Sequence, residues 1–222
     1  MNTLLSYLYQ KKEIWIKTPG LFLFLLILFL SCSPEKEPSH PFQAYLSDVD
    51  PVYEYELQKT INGGDYTAYV IRMVSQTWLS EEIVDEPEWW HWLTIVVPDS
   101  VEHSTGFLWI GGGDRDDPAP ASVNPIVLNA SLATNSVTAS LHNVPFQPIT
   151  FSGDSRMDER KEDEIISYAW RHFLENGADD EDANWLPRLP MTASAMRAMD
   201  TITDFMQNQQ STTIDEFVVS GA

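Results

Sequence analysis

The sequence is poor in cysteine and in positive charge, and both shortages narrow what the protein can be. Cys32 is the one cysteine among 222 residues, so no disulfide can form within the chain and the framework of small disulfide-rich secreted domains is excluded. Thirteen Lys and Arg stand against 33 Asp and Glu, which gives a formal net charge of -20. Such a surface repels phosphate backbones, so we expect no nucleic-acid partner.

Long apolar runs are also lacking. Lys11, Lys12 and Lys17 precede the apolar run Leu21 to Leu30, which Ser31-Cys32 closes. A membrane-spanning helix needs about 20 apolar residues, and this run is shorter. The layout is typical of a signal peptide over residues 1–31.

The end of that run is similar to a bacterial lipobox. Phe29-Leu30-Ser31-Cys32 predicts cleavage before Cys32 and a lipid on its sulfur, which would anchor residues 32–44 as a tether to a membrane. Ser33 after the cysteine resembles an outer-membrane sorting signal of Gram-negative bacteria. The alternatives are a secreted or periplasmic protein and an uncleaved anchor.

The rest of the chain, residues 45–222, reads as one α/β domain, because apolar residues recur at strand and then at helix spacing. Residues Asn62 to Asp65 predict a hairpin turn, and in one helix Ile165, Ala169 and Trp170 are expected on a buried face. The predicted strands are Tyr53 to Lys59, Tyr66 to Leu79, Trp89 to Val97, Thr105 to Ile110, Ser136 to Leu141 and Phe217 to Ser220, the last buried, and the predicted helices are Val123 to Ala133, Asp158 to Asn176 and Met191 to Gln209.

Two glycine motifs could carry chemistry. Gly111, Gly112 and Gly113 follow an apolar strand, where backbone N–H groups can point at a developing oxyanion as in the glycine loops of esterases. The alternative is a flexible turn. Gly221 and Ala222 follow another strand as the start of a nucleophile elbow, Gly-x-Ser-x-Gly, whose serine would occupy the position after Ala222. The alternative is a strand that ends in small residues.

Several blocks of the sequence resemble the PhoPQ-activated pathogenicity-related family over about Tyr53 to Ala222. The resemblance implies the first half of an α/β-hydrolase fold, and the strand-Gly-Ala of the family is followed by Ser-Lys-Arg-Gly. We therefore expect the chain to stop just before its nucleophile. The blocks are Ser75-Gln76-Thr77-Trp78-Leu79, Trp89-Trp90-His91-Trp92-Leu93-Thr94-Ile95, Ile110-Gly111-Gly112-Gly113, Leu186-Pro187-Arg188-Leu189-Pro190-Met191-Thr192, Ala198-Met199-Asp200-Thr201 and Phe217-Val218-Val219-Ser220-Gly221-Ala222.

The chain differs from the family pattern at two places, the charged run Asp114 to Asp117 after the glycines and Phe146. These differences bear on the shape of the mouth of the cleft. Both Asp114 to Asp117 and Asp179 to Asp182 are expected to be solvated, and neither has the ligand spacing of a calcium loop. We expect no metal and no cofactor.

The histidines are not expected to be catalytic. His91 lies within the tryptophan-rich block and is expected to be a packed, hydrogen-bonded neighbour of aromatic rings. In α/β hydrolases the triad runs serine, acid, histidine, so all three members would lie beyond Ala222 and none within the chain.

The sequence therefore predicts an envelope lipoprotein whose intact form is a serine hydrolase acting on an ester or amide substrate, including peptides. The 222-residue chain alone should be inactive. The alternative is a non-catalytic surface protein that binds cationic peptides on a hydrolase scaffold. The sequence does not indicate which oligomeric state the protein adopts.

Overall fold

The structure, a computed structural model, describes residues 40–156 and 158–221. The predicted signal peptide, Cys32, most of the tether and Ala222 lie outside these residues. Within the described part, no helix is both long and apolar enough to cross a membrane.

A six-stranded mixed sheet forms the centre, in the order β1-β2-β3-β5-β4-β6. The first three strands run antiparallel to their neighbours, and β5, β4 and β6 run parallel to one another. The strands are β1 Glu54–Asn62, β2 Tyr66–Thr77, β3 Glu88–Pro98, β4 Thr105–Ile110, β5 Thr138–Leu141 and β6 Glu216–Gly221.

Helices flank the sheet. They are α1 Pro41–Ser47, α2 Pro125–Thr134, α3 Asp163–Glu175 and α4 Arg188–Gln210, with a 3₁₀ helix at Asp180–Trp185. Helix α2 begins at Pro125 because the Asn124 side chain accepts a hydrogen bond from the Ile126 amide, and it ends where Asn135 adopts a left-handed φ of 50°. The α/β class predicted from the sequence is confirmed.

Alternation along β2 and β3 buries both faces of the sheet. Ile71 and Leu93 face one core, which α4 closes with Ala198, Ile202 and Phe205. Ala68 and Val96 face the other core, which α2 closes with Val127. A strand buried on both faces has an almost continuous apolar sequence, as β3 does.

A separate cluster of aromatic residues lies near one end of β3. Trp89 is fully buried and meets Trp78 edge to face at 5.4 Å and Phe146 at 6.1 Å between ring centroids. Phe146 is therefore a core residue, and its departure from the family pattern contributes packing within this cluster.

Three predicted boundaries are wrong. Residues 41–44, predicted as tether, belong to α1. Helix α3 begins at Asp163 because Glu162 has a positive φ of 46°, and Trp170 on that helix is 44% exposed, not buried. Helix α4 begins at Arg188 and contains Pro190 in its first turn, where the missing N–H of proline costs no helical hydrogen bond.

Two further predictions differ from the structure. Most of the acidic loop at Asp179 to Asp182 forms the start of the 3₁₀ helix. Strand β6 exists, but it is exposed: Val218 is 58% and Val219 46% accessible. The physical reason is that β6 lies at the edge of the sheet and pairs only with β4 among the described strands.

Candidate functional site

The two glycine motifs meet at one edge of the sheet. Strands β4 and β6 are parallel neighbours, and Ile110 lies opposite Gly221. The glycine turn, residues Gly111 to Gly113, follows β4 directly. Because carboxyl ends of parallel strands share an edge, the turn and the predicted start of the elbow are adjacent. Ala222 and the predicted serine position lie outside the described residues.

Gly221 is required by this pairing. A Cβ atom at position 221 would lie 2.6 Å from the carbonyl oxygen of Ile110, which is closer than real Cβ contacts come. The strand-to-strand approach therefore depends on the missing side chain. This contact gives the predicted elbow glycine a physical role in the structure.

The glycine turn is held by backbone hydrogen bonds of Gly111 and Gly112. Gly111 donates its N–H to the Leu141 carbonyl at 2.8 Å, and the Gly111 and Gly112 carbonyls accept from Val144 and Asn143 at 3.2 and 3.1 Å. Within residues 40–156 and 158–221, no backbone carbonyl accepts from the amides of Gly112 or Gly113. Two amides without a backbone partner at a strand end are what an oxyanion site needs.

Gly113 has a φ of 150°, a conformation that favours glycine. A Cβ atom here would also lie 3.2 Å from the Asn143 amide nitrogen. The turn is thus closely packed against Asn143.

Gln147 holds the turn in place, and no pattern in the sequence predicts this role. Its side-chain Nε2 donates to the Gly113 carbonyl at 2.7 Å and to Glu162 Oε1 at 3.1 Å, and its Oε1 accepts from the Glu162 amide at 2.7 Å. Gln147 is 5% exposed. It ties the turn to the start of α3, a long-range contact that local patterns do not reveal.

Glu162 brings negative charge to the turn. Its Oε1 lies 3.2 Å from the position of a Cβ atom on Gly112, and Asp117 Oδ2 lies 3.3 Å from the corresponding position on Gly113. Both carboxylates would repel an oxyanion that develops beside these glycines, and they would attract a cationic group. The site therefore combines amide donors with nearby carboxylates.

The charged run Asp114 to Asp117 is folded back on itself and paired. Asp117 Oδ2 accepts from the Asp114 amide at 2.8 Å, and Asp114 forms an ion pair with Lys161. The hydrogen bond from Lys161 lowers the pKa of Asp114 below its ordinary value. Asp116 and Asp117 are exposed and Asp114 is partly exposed, so the run is solvated as predicted, and Arg115 pairs with Asp85 at 3.0 Å.

His91 is the packed, hydrogen-bonded residue that the sequence predicted. It is fully buried, and burial lowers its pKa to about 4, so the ring is neutral. Its Nδ1–H donates to the Asn143 carbonyl at 3.1 Å, and its Nε2 accepts from the Ser75 hydroxyl at 3.0 Å. Among the residues that the structure describes, no carboxylate hydrogen-bonds to the ring, and Ser75 is 1% exposed, so this pair holds the core together.

An apolar groove of about 510 Å³ borders the site. Gly221 and Val219 of β6 form one side, and three methionines of α4, Met191, Met196 and Met199, form the other. Two of them, Met191 and Met199, are partly buried against the core, and all three also line the groove.

The six-stranded mixed sheet and its flanking helices define an α/β protein, and its glycine turn lies beside a strand-end glycine. The family model described as PhoPQ-activated pathogenicity-related protein matches residues 42–222. The chain belongs to this family, as the sequence blocks predicted.

One similar protein is autocrine proliferation repressor protein A of Dictyostelium discoideum. It is 35% identical over 199 residues, which cover 89% of this chain and 39% of the relative. The chain thus spans about two fifths of the length of this curated relative.

Solved structures that resemble the chain include acetyl xylan esterase 1 from Thermoanaerobacterium sp. JW/SL YS485, with 12% identity and a TM-score of 0.46 over 82% of this chain and 49% of that one. A glucuronoyl esterase from Solibacter usitatus shows 15% identity and a TM-score of 0.43 over 81% and 51%.

Proposed function

We propose that this chain is the N-terminal part of an envelope lipoprotein whose intact form is a serine hydrolase acting on an ester or amide, including a peptide. The observation that carries the proposal is the pairing of Ile110 with Gly221, which puts the Gly112 and Gly113 amides beside the predicted elbow. A nucleophile directly after Ala222 would then face backbone donors. Each such donor contributes roughly 3 kcal/mol to stabilising the transition state in studied enzymes.

The reaction that these residues support is acyl transfer. The serine hydroxyl would attack the substrate carbonyl, and the turn amides would donate hydrogen bonds to the oxygen that becomes negative. The apolar groove beside Gly221 supports an apolar group on the substrate, since Met196 and Val219 line it. The chain itself contributes the donor side of this reaction, and the triad belongs to the longer parent.

The direct test uses a chain extended by its continuing coding sequence. The extended protein should hydrolyse p-nitrophenyl acetate and react with a fluorophosphonate probe, and replacing the serine after Ala222 by alanine should abolish both. The 222-residue chain should show neither. Hydrolysis by the 222-residue chain that equals the extended protein would overturn the proposal.

The turn can be tested in the same extended protein. Gly113→Ala forces a side chain onto a φ of 150° and should lower kcat by roughly 10²-fold or more with little change in KM. Gly64→Ala is the matched control, because a Cβ atom there meets nothing within 4 Å.

The lipid anchor on Cys32 is a separate proposal and has a separate test. In a Gram-negative host, the chain should incorporate radiolabelled palmitate and sediment with outer membranes. Cys32→Ser should prevent the labelling. Equal labelling of the variant, or recovery of the unlabelled chain in the medium, would contradict the anchor.

A second candidate function is a non-catalytic surface protein that binds cationic peptides. The carboxylates of Glu162 and Asp117 beside Gly112 and Gly113 favour it, since they attract positive charge where a hydrolase develops negative charge. Alanine or glycine in place of serine after Ala222 in the continuing sequence would favour this binder.

A further inference from the structure

Successive peptide groups of the glycine turn are each held at the carbonyl oxygen. The Gly111 and Gly112 carbonyls accept from the Val144 and Asn143 amides at 3.2 and 3.1 Å. In a trans peptide group the N–H points opposite to the C=O. These two contacts therefore direct the Gly112 and Gly113 amides away from Asn143 and Val144, and so set the direction in which the proposed oxyanion donors point.

The next carbonyl of the turn, that of Gly113, is held by a side chain. Gln147 Nε2 donates to it at 2.7 Å, and the N–H of the same peptide group, which belongs to Asp114, donates to Asp117 Oδ2 at 2.8 Å. A glycine backbone rotates at little steric cost, so this peptide group needs such anchors to keep its orientation. Of the two anchors, Gln147 is buried and Asp117 is exposed.

Gln147 is itself fixed through each of its polar groups. Its backbone N–H donates to Asn143 Oδ1 at 3.2 Å, and its carbonyl accepts from the Arg115 amide at 2.5 Å. Its side-chain Oε1 accepts from the Glu162 amide at 2.7 Å, and this contact leaves Nε2 facing the turn. A buried polar network with all its members satisfied is rigid, so the Gln147 amide is a firm anchor.

The same Nε2 also engages the Glu162 carboxylate beside the turn. It donates to Glu162 Oε1 at 3.1 Å, and that oxygen lies 3.2 Å from the position of a Cβ atom on Gly112. Glu162 has a φ of 46° and a ψ of -124°, a strained conformation that persists only where the surrounding structure imposes it. Gln147 contacts both the amide and the carboxylate of Glu162 and so contributes to imposing it.

We propose that Gln147 is a positioning residue for the hydrolysis, an inference that rests on the proposed function. Its amide fixes the Gly113 peptide group, and it holds the Glu162 carboxylate so that this carboxylate does not accept from the Gly112 amide. A carboxylate bound to that amide would occupy the place of the oxyanion and repel it. An amide side chain fills both roles, because its NH₂ group donates to two oxygens while its carbonyl accepts from the Glu162 N–H.

Matched variants of the protein extended past Ala222 test the kinetic role. Gln147→Met keeps the length of the buried side chain but removes its donors. It should lower kcat for p-nitrophenyl acetate roughly tenfold or more, while KM stays within about twofold.

Gln76→Met is the control for that variant. Gln76 is 4% exposed, and its Nε2 donates to the Pro190 carbonyl and the Ser194 hydroxyl, each at 3.0 Å, and not to the turn. This variant also loses buried hydrogen bonds and should be destabilised in urea, yet its kcat should stay within about twofold of the wild type. Equal losses of kcat in the two variants would overturn the proposal.

Gln147→Glu supplies a pH signature that a general loss of packing would not give. An ionised carboxylate at this position would repel Glu162 and the Gly113 carbonyl, whereas the protonated acid would again donate a hydrogen bond. Burial and the negative charges of Glu162 and Asp117 favour the protonated acid as pH falls. The ratio of kcat between this variant and the wild type should therefore rise several-fold from about pH 8 to about pH 6. A constant ratio would contradict the proposal.

The orientation of the turn can also be observed without any reaction. In the 222-residue chain, Gln147→Met should shift the amide NMR signals of Gly112 and Gly113, and Gln76→Met should leave them unchanged. Unchanged signals in Gln147→Met would overturn the inference. If the extended protein hydrolyses nothing, the proposed function fails, and these spectra alone decide whether Gln147 orients the turn.

Discussion

Strands β3 and β6 are similar in sequence and opposite in environment. Leu93, Ile95 and Val96 of β3 are fully buried, whereas Val218 and Val219 of β6 are 58% and 46% exposed. Strand β3 has β2 and β5 beside it and helices against both faces, and β6 pairs with β4 alone among the described strands. An apolar sequence of this kind predicts a strand. The strands and helices that pack beside that strand determine whether its side chains are buried.

The same two regions also differ in what they contribute, one mainly to stability and the other to the candidate site. The β2–β3 region holds the aromatic cluster and a buried neutral histidine, and the β4–β6 edge holds the glycine turn and the apolar groove. We therefore expect substitutions in the first region to change stability strongly. Substitutions at the second should change it little.

The largest effect is expected from Trp89→Ala. Removing this fully buried ring from the aromatic cluster should lower the free energy of unfolding by about 3–5 kcal/mol. Urea denaturation followed by far-UV circular dichroism measures the change. Trp170→Ala, which removes a ring that is 44% exposed, is the control and should cost less than about 1 kcal/mol. Equal losses would contradict the assignment of the cluster.

One substitution made in both regions tests the comparison directly. Val96→Thr buries a hydroxyl in the core and should cost about 1–3 kcal/mol. Val218→Thr places the same hydroxyl in solvent and should cost less than about 0.5 kcal/mol. Chemical denaturation measures the free energy of unfolding of the two variants side by side. Similar losses in the two variants would mean that β6 is buried in solution.

His91 should make the β2–β3 region sensitive to acid. Burial lowers its pKa from 6.5 to about 4, so the folded protein favours the neutral ring. Its contribution to stability is complete above pH 6.5 and is lost as pH falls through the folded pKa. The free energy of unfolding should drop by about 2 kcal/mol from pH 7 to pH 5.

The control for that pH dependence is His91→Asn, which should be less stable at pH 7 but lose less stability over the same range, with the remaining dependence coming from His142, whose pKa burial also lowers. Denaturation midpoints at pH 7, 6 and 5 provide the comparison. A wild-type profile that is already flat would show that His91 is accessible to protons in the folded state.

Among the substitutions that change the packing of the chain, a small effect is expected from Gly221→Ala. The added Cβ atom would lie 2.6 Å from the Ile110 carbonyl oxygen, so the end of β6 must shift. Because this edge is exposed, we expect a loss of only about 1 kcal/mol, at the low end for overpacking. Amide exchange near Ile110 should rise, and Gly64→Ala should leave it unchanged. A Gly221→Ala variant that exchanges like the wild type would remove the proposed role of this glycine.

Local patterns predicted the elements whose signals are local. Strand β4 was predicted at its observed bounds because three glycines end it, and the hairpin turn at residues 62–65 follows from its own turn residues. The glycine turn was also found, since a glycine cluster after an apolar strand is a sequence feature. Its position beside Gly221 is known from the pairing of β4 with β6 in the structure.

The residues that sequence reasoning missed act across long distances. Gln147 reaches Gly113 and Glu162, and the positive φ of Glu162 shortens α3 at its start. Neither residue belongs to a periodic pattern or a motif. The exposure of β6 was missed for a related reason, because it depends on which strands stand beside it.

The pairing of β4 with β6 also has a consequence for the order of folding. Strands β2 and β3 join residues that are close in the chain, Thr77 with Glu88 at the nearest point, while Ile110 and Gly221 are about 110 residues apart. Closing so long a loop is entropically costly and slow compared with a local hairpin. The antiparallel half of the sheet should therefore form first, and β6 should dock late, so that the candidate site is assembled only in the final stage of folding.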